Sequence, residues 1–538
     1  QIMTKPIYVT GHKNPDCDSI VSSLAYAYFK QQLGVNAEAF ALGSANSETR
    51  FLLDKYGWEH PAMITSAKCR LREIEIDEAA YANRNMTMKE ALDVSLQRKN
   101  KGVFVVDEEG KLEGVVSISD LTSLWTVNEE DLTRLMQKVE LRNIVKTLKG
   151  NIYNEIADFR TNGVIHLLPG ISSDVSERSI VIVGNTPEAQ RSAVEGGAAL
   201  IIISGEDWID SVTLGKAIEK SVCVMHTDLS VLACSQLIFQ SPSIDQIMST
   251  NLVVFNQDET VEEVSARMAT TRHRTYPVVD DDMHVVGAVS RYHLFNYEKK
   301  RFILVDHNEA SQSVNDLEYG EIVEIVDHHR LGGIETTNPI NVIARTVGST
   351  SSIVASQFFT MGIEMPQKVA GILLGGLLSD TMNLKSPTTT EEDKVIAGRL
   401  SGIANISCDE LSAQMIDASD SILKKSWVDL MYDDLKEFRI GEYKVAIGQS
   451  HCKQASEFKQ VKDEFYKYMQ EVEKTQHYDL ILILFTYADG RGSHFLYTGN
   501  KSWVIEESFA DVLKDGFAKG IISRKKQVLP LVVSALKK

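Results

Sequence analysis

Short, dense apolar runs recur along the chain, and several of them end on a charge or an imidazole. Ile7-Tyr8-Val9 leads into His12. Residues 301–305 lead into Asp306-His307-Asn308-Glu309, and 321–326 into Asp327-His328-His329-Arg330. Residues 371–378 lead into Ser379-Asp380-Thr381. Runs of this length bounded by polar clusters predict buried strands, and all four are read so. They imply an open parallel α/β sheet, whose ligands gather beyond the carboxyl ends of the strands.

A different pattern fills the middle of the chain. KNKGVFVVDEEGKLEGVVSISDL (99–121) and RHRTYPVVDDDMHVVGAVSRYHL (272–294) align without a gap. Val105-Val106-Asp107 falls on Val278-Val279-Asp280, Gly114 on Gly287, and Ser117 on Ser290. Each copy predicts strand, acidic turn, strand and helix, and each follows an amphipathic helical stretch, 88–98 and 261–271. Between the copies, 180–183, a helical 187–195 and 199–203 predict a separate α/β unit. Ser241-Pro242-Ser243 closes it.

A chain of 538 residues exceeds what one core usually holds, so several domains are expected. Its net charge of −18 argues against non-specific nucleic-acid binding, while leaving room for small anions met by a local basic patch or a metal. Six cysteines without a CxxC pair read as free thiols in a reducing compartment. No apolar run approaches the roughly 18 residues of a membrane span. A soluble cytoplasmic protein is expected, with Gln1-Ile2 ahead of Met3 read as residues added before the native start.

The acidic strand ends carry the chemistry. In His12-x-x-x-Asp16-x-Asp18 an extended loop would aim both aspartates the same way. Carboxylates forced together repel unless cations neutralise them, and two metal ions about 3.5–4 Å apart would do so. Imidazole with carboxylate suits Mn²⁺ better than Mg²⁺ alone. In His328-His329 neighbouring side chains point oppositely, so one can ligate metal while the other faces substrate. Singly, each cluster is as well explained by an aspartate capping a helix. Their joint occurrence favours a metal centre.

HKNPDCD, VDHNE, VDHHR and SDT resemble the four motifs of the DHH phosphoesterase superfamily. IISRKKQVLP (521–530) and DDLKEF (433–438) resemble the lysine-bearing segments of family II, manganese-dependent inorganic pyrophosphatases. The repeated halves resemble a CBS pair. SIVIVGNTPEAQRSAVEGGAALIIISG resembles a DRTGG domain, with Asn185-Thr186 where that family has Asp-Arg. The resemblance implies an α/β chain: a parallel-sheet DHH catalytic domain (1–66 and 301–416), CBS modules at 67–127 and 244–300 flanking a DRTGG-like domain (128–243), and a C-terminal substrate-binding domain (417–538), with a hinge near 417–425.

It implies hydrolysis of pyrophosphate to two phosphates, with a metal-activated hydroxide attacking in line. His12 and Asp16 would hold one Mn²⁺ or Co²⁺, and Asp18, His328 and Asp380 the other. Asp306 would bridge the two, and Mg²⁺ could accompany the substrate. His329 resembles the general acid, aided by Asp327. Lys436, Arg524 and Lys525 would bind the phosphates, and Lys526 is read as solvated surface. The CBS pair would take an adenine nucleotide (AMP, ADP, ATP or a diadenosine polyphosphate) through Lys101, Ser117, Asp120, Arg274, Tyr276 and Ser290. His293 replaces the second ribose aspartate. A homodimer or larger homo-oligomer is expected. The alternatives are another DHH-type phosphoesterase, acting on short polyphosphate or oligonucleotide, and a non-catalytic nucleotide sensor. A glycine-histidine-rich C-terminal motif, expected of the DHH nucleases, is absent.

Overall fold

The computed structural model describes residues 5–98, 102–123, 128–168, 175–184, 186–206 and 208–537. The chain divides into two compact units, 1–68 with 299–538 and 69–298.

The first unit is built on a six-stranded sheet in the order Asn341–Ala344, Glu321–Asp327, Arg301–Val305, Ile7–Thr10, Ala37–Ala41, Ala62–Met63. Every pairing in it is parallel. Helices Cys17–Gln32, Thr350–Met361 and Gln367–Asp380 share one apolar core with its strands. Strand ends Thr10, Val305 and Asp327 therefore open to the same edge, as open parallel sheets require.

The fourth expected strand is instead a helix. Residues 371–378 lie within Gln367–Asp380, buried on all sides from Val369 to Leu378. A continuous apolar run has no period to separate a buried helix from a buried strand. The glycines favour the helix by permitting close contact: a Cβ on Gly375 would lie 2.2 Å from Leu52 Cδ2. Asp380 thus arrives from a helix C-terminus.

The rest of this unit is a second lobe. Its six-stranded mixed sheet runs Leu435–Ile440, Tyr443–Cys452, Leu480–Tyr487, Gly492–Thr498, Phe517–Lys519, Leu513–Lys514. The long helix Ala455–Gln476 packs Phe458, Val461, Phe465, Met469 and Val472 onto one face of it. Those residues recur at helical spacing, which is why the stretch is amphipathic.

The second unit holds three pieces. A five-stranded sheet is parallel except for its Asn151–Asn154 edge. Each repeated half forms a three-stranded sheet: Tyr81–Ala82, Gly102–Val106, Leu112–Ser117 in one, and Phe255–Asn256, Tyr276–Val279, Val285–Val289 in the other. In both, the first pairing is parallel and the second antiparallel, with a bulge at the aligned positions Val105/Val106 and Val278/Val279, the equivalence the gapless alignment demands. These two modules are the repeated halves, and the five-stranded α/β piece falls between them in the sequence. Among the described residues no helix is long and apolar enough to cross a membrane.

Candidate active site

The His12–Asp18 segment does not lie extended. Asp16 is the N-cap of helix Cys17–Gln32, accepting from Ser19 N (2.9 Å), and Asp18 sits in the first turn. The helix splits the two aspartates between two groups instead of aiming them together. His12 Nε2 lies 3.4 Å from both Asp16 Oδ2 and Asp306 Oδ2. Asp18 joins His328 and Asp380, with His328 Nε2 3.3 Å from Asp380 Oδ2 and 3.4 Å from Asp306 Oδ1. Within each group the ligand-capable atoms are within 4.8 Å of one another. All six residues expected to hold metal therefore meet, with Asp306 between the two groups.

Each imidazole is pre-oriented. His12 Nδ1 donates to Lys13 O (2.8 Å) and His328 Nδ1 to Val347 O (3.0 Å), so Nε2 is the nitrogen each presents to the carboxylates. Burial alone would lower the His12 pKa, but Asp16 and Asp306 outweigh it and lift the group to about 10. His328, also lowered by burial and by Lys525, is lifted to about 10 by Asp306 and Asp380. His12 Nε2 and Asp306 Oδ2 are buried and make no hydrogen bond. Buried polar atoms normally find partners. Orphaned atoms at the focus of an N/O donor set are what a transition-metal pair would complete, so these residues fit such ions.

His329 faces the same cleft, not the opposite side, with its ring 4.6 Å from that of His328. Its Nδ1 donates to Asp327 Oδ1 (2.6 Å), and Asp327 Oδ2 accepts from Asn308 Nδ2 (2.5 Å). Burial, then the Lys525 and Lys436 ammonium groups, hold its pKa well below the ordinary histidine value. The ring is thus neutral, presenting Nε2 to Lys436 Nζ at 3.5 Å.

The cations come from the second lobe. Lys525 Nζ is 2.9 Å from His328 Nε2 and 3.9 Å from Asp380 Oδ2. Lys436 is buried among like charges, which lowers its pKa. Arg524 lines the cleft but is 6 % exposed. Its NH1 donates to Asp434 O and Ile447 O, and its NH2 to Asp434 Oδ1 (2.9 Å). It therefore anchors the strand that carries Lys436 from within the cleft lining. Lys526 Nζ donates to Pro387 O (2.6 Å). Both lobes line one cleft of about 1280 Å³.

Sequence reasoning missed several residues here. Glu48, in the first turn of helix Ser47–Tyr56, accepts from Ser379 Oγ (3.3 Å). Burial pushes its carboxyl up to about 7, against Ser379 and with Asp16 and Asp380. Thr350 and Ser351 bind Asp18 through their backbone N–H groups at 2.7 and 2.9 Å. The signal was the run Gly348-Ser349-Thr350-Ser351-Ser352, a hydroxyl-rich helix start.

In the repeated modules Ser117 and Asp120 are together, but they serve each other: Asp120 Oδ2 accepts from Ser117 N (2.8 Å) and Oγ (2.6 Å). Ser290 N and Oγ likewise meet His293 Nδ1 at 3.0 and 3.1 Å, and His293 Nε2 lies 3.4 Å from Asp77. Arg274 is exposed. Tyr276, expected to stack on a base, is 1 % exposed, packed on Phe255 with its hydroxyl on Thr271. It faces inward because it occupies a buried strand position. Lys101 and Asn185 lie outside the described residues.

Comparison with known proteins agrees with this geometry. The model of the DHH family, N-terminal domain, matches residues 6–377, and that of the DHHA2 domain matches 413–535. A cobalt-dependent inorganic pyrophosphatase of Clostridium perfringens is 34% identical over 537 residues, covering 98% of this chain and 98% of the relative. A manganese-dependent inorganic pyrophosphatase of Methanocaldococcus jannaschii is 40% identical over 243 residues, 43% of this chain and 78% of the relative. A crystal structure from Methanococcus jannaschii, described as a family II inorganic pyrophosphatase, shares the fold with TM-score 0.51 at 23% identity over 99% of both chains. The chain belongs to the DHH-type, metal-dependent inorganic pyrophosphatases.

Proposed function

We propose that the cleft hydrolyses pyrophosphate at a pair of divalent cations, one held by His12, Asp16 and Asp306 and the other by Asp18, His328 and Asp380. The observation that carries this is Asp306: its two oxygens face different groups, Oδ2 towards His12 and Oδ1 towards His328, each at 3.4 Å. Mn²⁺ or Co²⁺ bound there supplies Lewis acidity, acidifying water and neutralising phosphate charge, with Mg²⁺ able to enter with the substrate. Lys436 and Lys525 hold the phosphate oxygens and align the substrate for in-line attack, and closure of the two lobes excludes water. Arg524 acts through Asp434 by fixing the strand of Lys436. His329, oriented by Asp327 through Nδ1, presents Nε2 to the cleft beside Lys436 and acts from its protonated form as the general acid toward the leaving phosphate, while Lys436 keeps its charge.

The CBS modules take an adenine nucleotide, which biases closure. Support comes from the twice-repeated module with its Ser117–Asp120 pair and exposed Arg274. Such coupling typically amounts to about 1–3 kcal/mol, several-fold to a hundred-fold in rate. The chain works as a cytoplasmic homodimer or larger assembly, with domain limits near 66, 127, 243, 300 and 416. The test is phosphate release from pyrophosphate, tripolyphosphate and a dinucleotide after chelation and Mn²⁺ or Co²⁺ add-back, with and without AMP, ADP, ATP or a diadenosine polyphosphate. Rapid, metal-restored turnover of pyrophosphate alone supports the reading. Preference for either other substrate refutes it, and a rate indifferent to every nucleotide removes the regulatory part.

A further inference from the structure

The two cation groups are supplied by four separate stretches of chain, yet one short segment touches the carboxylates of both. Thr350 begins helix Thr350–Met361. Its N–H donates to Asp18 Oδ2 (2.7 Å), while its hydroxyl donates to Asp306 Oδ1 (2.9 Å). Ser351 completes the grip on Asp18, donating to Oδ1 from its N–H (2.9 Å) and its Oγ (2.5 Å). Asp18, Thr350 and Ser351 are 0 % exposed, so no water competes for these bonds. The helix N-terminus also favours the ionised carboxylate of Asp18.

The segment is itself fixed from behind. Asp393 Oδ2 accepts from Gly348 N (2.8 Å) and Asp393 Oδ1 from Ser352 Oγ (2.6 Å). Ser349 Oγ caps Ser352 N at 3.1 Å. On the other side Gly376 lets the neighbouring helix approach, since a Cβ there would lie 2.4 Å from Ser351 Oγ and 3.1 Å from Asp18 Oδ1. A residue held this tightly cannot adjust to whatever position Asp306 prefers; Asp306 must adjust to it. Asp306 also has φ 62, a left-handed backbone uncommon outside glycine, asparagine and aspartate.

We propose that Thr350 is a positioning residue that sets the separation of the two cation sites: its N–H fixes Asp18 of one group and its hydroxyl fixes Asp306 between the two. By occupying Oδ1 from one side, the hydroxyl rotates the Asp306 carboxylate so that Oδ2, which has no other partner, turns to His12. The inference rests on the metal-centre reading above. It adds that the pair is spaced by a residue that ligates nothing, and that the spacing can be altered without removing a ligand.

The test compares full-length wild-type protein with Thr350→Val, which keeps shape and backbone N–H but loses the hydroxyl, and Thr350→Ser, which keeps the hydroxyl. Mn²⁺ binding is followed by calorimetry, and the pair by the spin-coupled electron paramagnetic resonance spectrum. Outer partners of metal ligands are typically worth 10- to 100-fold in affinity, so Thr350→Val should bind Mn²⁺ about that much more weakly, with altered coupling, while Thr350→Ser matches wild type. Should Thr350→Val not fold, Ser351→Ala, which removes one of the three donors this segment gives Asp18, should give a smaller affinity loss with the coupling largely kept. Wild-type affinity and coupling in Thr350→Val, equal losses in Val and Ser variants, or no affinity loss in Ser351→Ala would each overturn the inference. A wild-type protein that binds no Mn²⁺ pair would instead overturn the metal-centre reading beneath it.

Discussion

The cleft and the repeated modules both offer Ser/Thr, Asp and His at loop–helix junctions, yet they handle them differently. In the modules, Ser117 with Asp120 and Ser290 with His293 close capping interactions on themselves. In the cleft, His12 Nε2 and Asp306 Oδ2 are buried without a hydrogen bond, although partners such as Lys13, Val347 and Thr350 satisfy the neighbouring atoms. Local motifs that satisfy themselves stabilise a helix start whether or not a ligand arrives. Groups left unsatisfied in a low-dielectric site cost stability and persist where a bound partner completes them. On the proposed function the cleft thus depends on its ions, and the modules are stable with or without a ligand.

The largest expected effect sharpens that contrast. Asp306→Asn removes the carboxylate shared by both groups, and pyrophosphatase turnover should fall about a thousand-fold or more, as when a transition-state charge partner is lost. Nucleotide binding, followed by calorimetry with AMP, should be unchanged. A variant retaining a tenth of wild-type activity would break the comparison. Next in size is Asn308→Leu. This releases Asp327 and with it His329 Nδ1, so kcat should drop about 10- to 100-fold with KM little changed. The ¹⁵N shifts of His329 should report loss of the single Nδ1–H tautomer, and an unchanged tautomer would contradict the chain of bonds.

The pH response is smaller. Both His12 and His328 sit at about 10 in the metal-stripped protein against 6.5 for the free group. A raised folded value stabilises fully below the unfolded one and ceases to do so as pH climbs through the folded one. The melting temperature of stripped protein should therefore fall between pH 6.5 and about 10. The same protons compete with a cation, so Mn²⁺ affinity should weaken as pH falls, with proton release measurable in buffers of different ionisation enthalpy. Melting that rises with pH, or binding without proton release, would contradict the account. Smallest is Ser117→Ala, which should blunt the nucleotide response several-fold and leave the basal rate within about two-fold. An unaltered response in both Ser117→Ala and Ser290→Ala would break the reading of the modules.

Much of this was legible before any coordinates. Ile7–Thr10, Arg301–Val305 and Glu321–Asp327 announce themselves as β-branched runs ending in charge, and the gapless repeat foretells two equivalent modules. The six ligand candidates were readable from the joint occurrence of acidic and imidazole clusters after apolar runs, even though Asp16 also caps a helix and Asp380 ends one. What stayed hidden depends on packing. The helix at 371–378 was hidden because a wholly buried run has no polar face to mark its period. The burial of Tyr276 was hidden too, because it follows from the sheet's pleat against Phe255, not from residue type. The link from Arg524 to Asp434 was hidden as well, because the two residues are 90 positions apart in the chain. Thr350 and Asp393 are ordinary residues whose importance arises only from who stands beside them.

Anomalous diffraction from Mn²⁺-soaked crystals of the whole chain tests the central claim most directly. The account predicts two manganese peaks per chain, one among His12, Asp16 and Asp306 and the other among Asp18, His328 and Asp380, with one Asp306 oxygen on each. A single peak, peaks away from these six side chains, or none at all would contradict it.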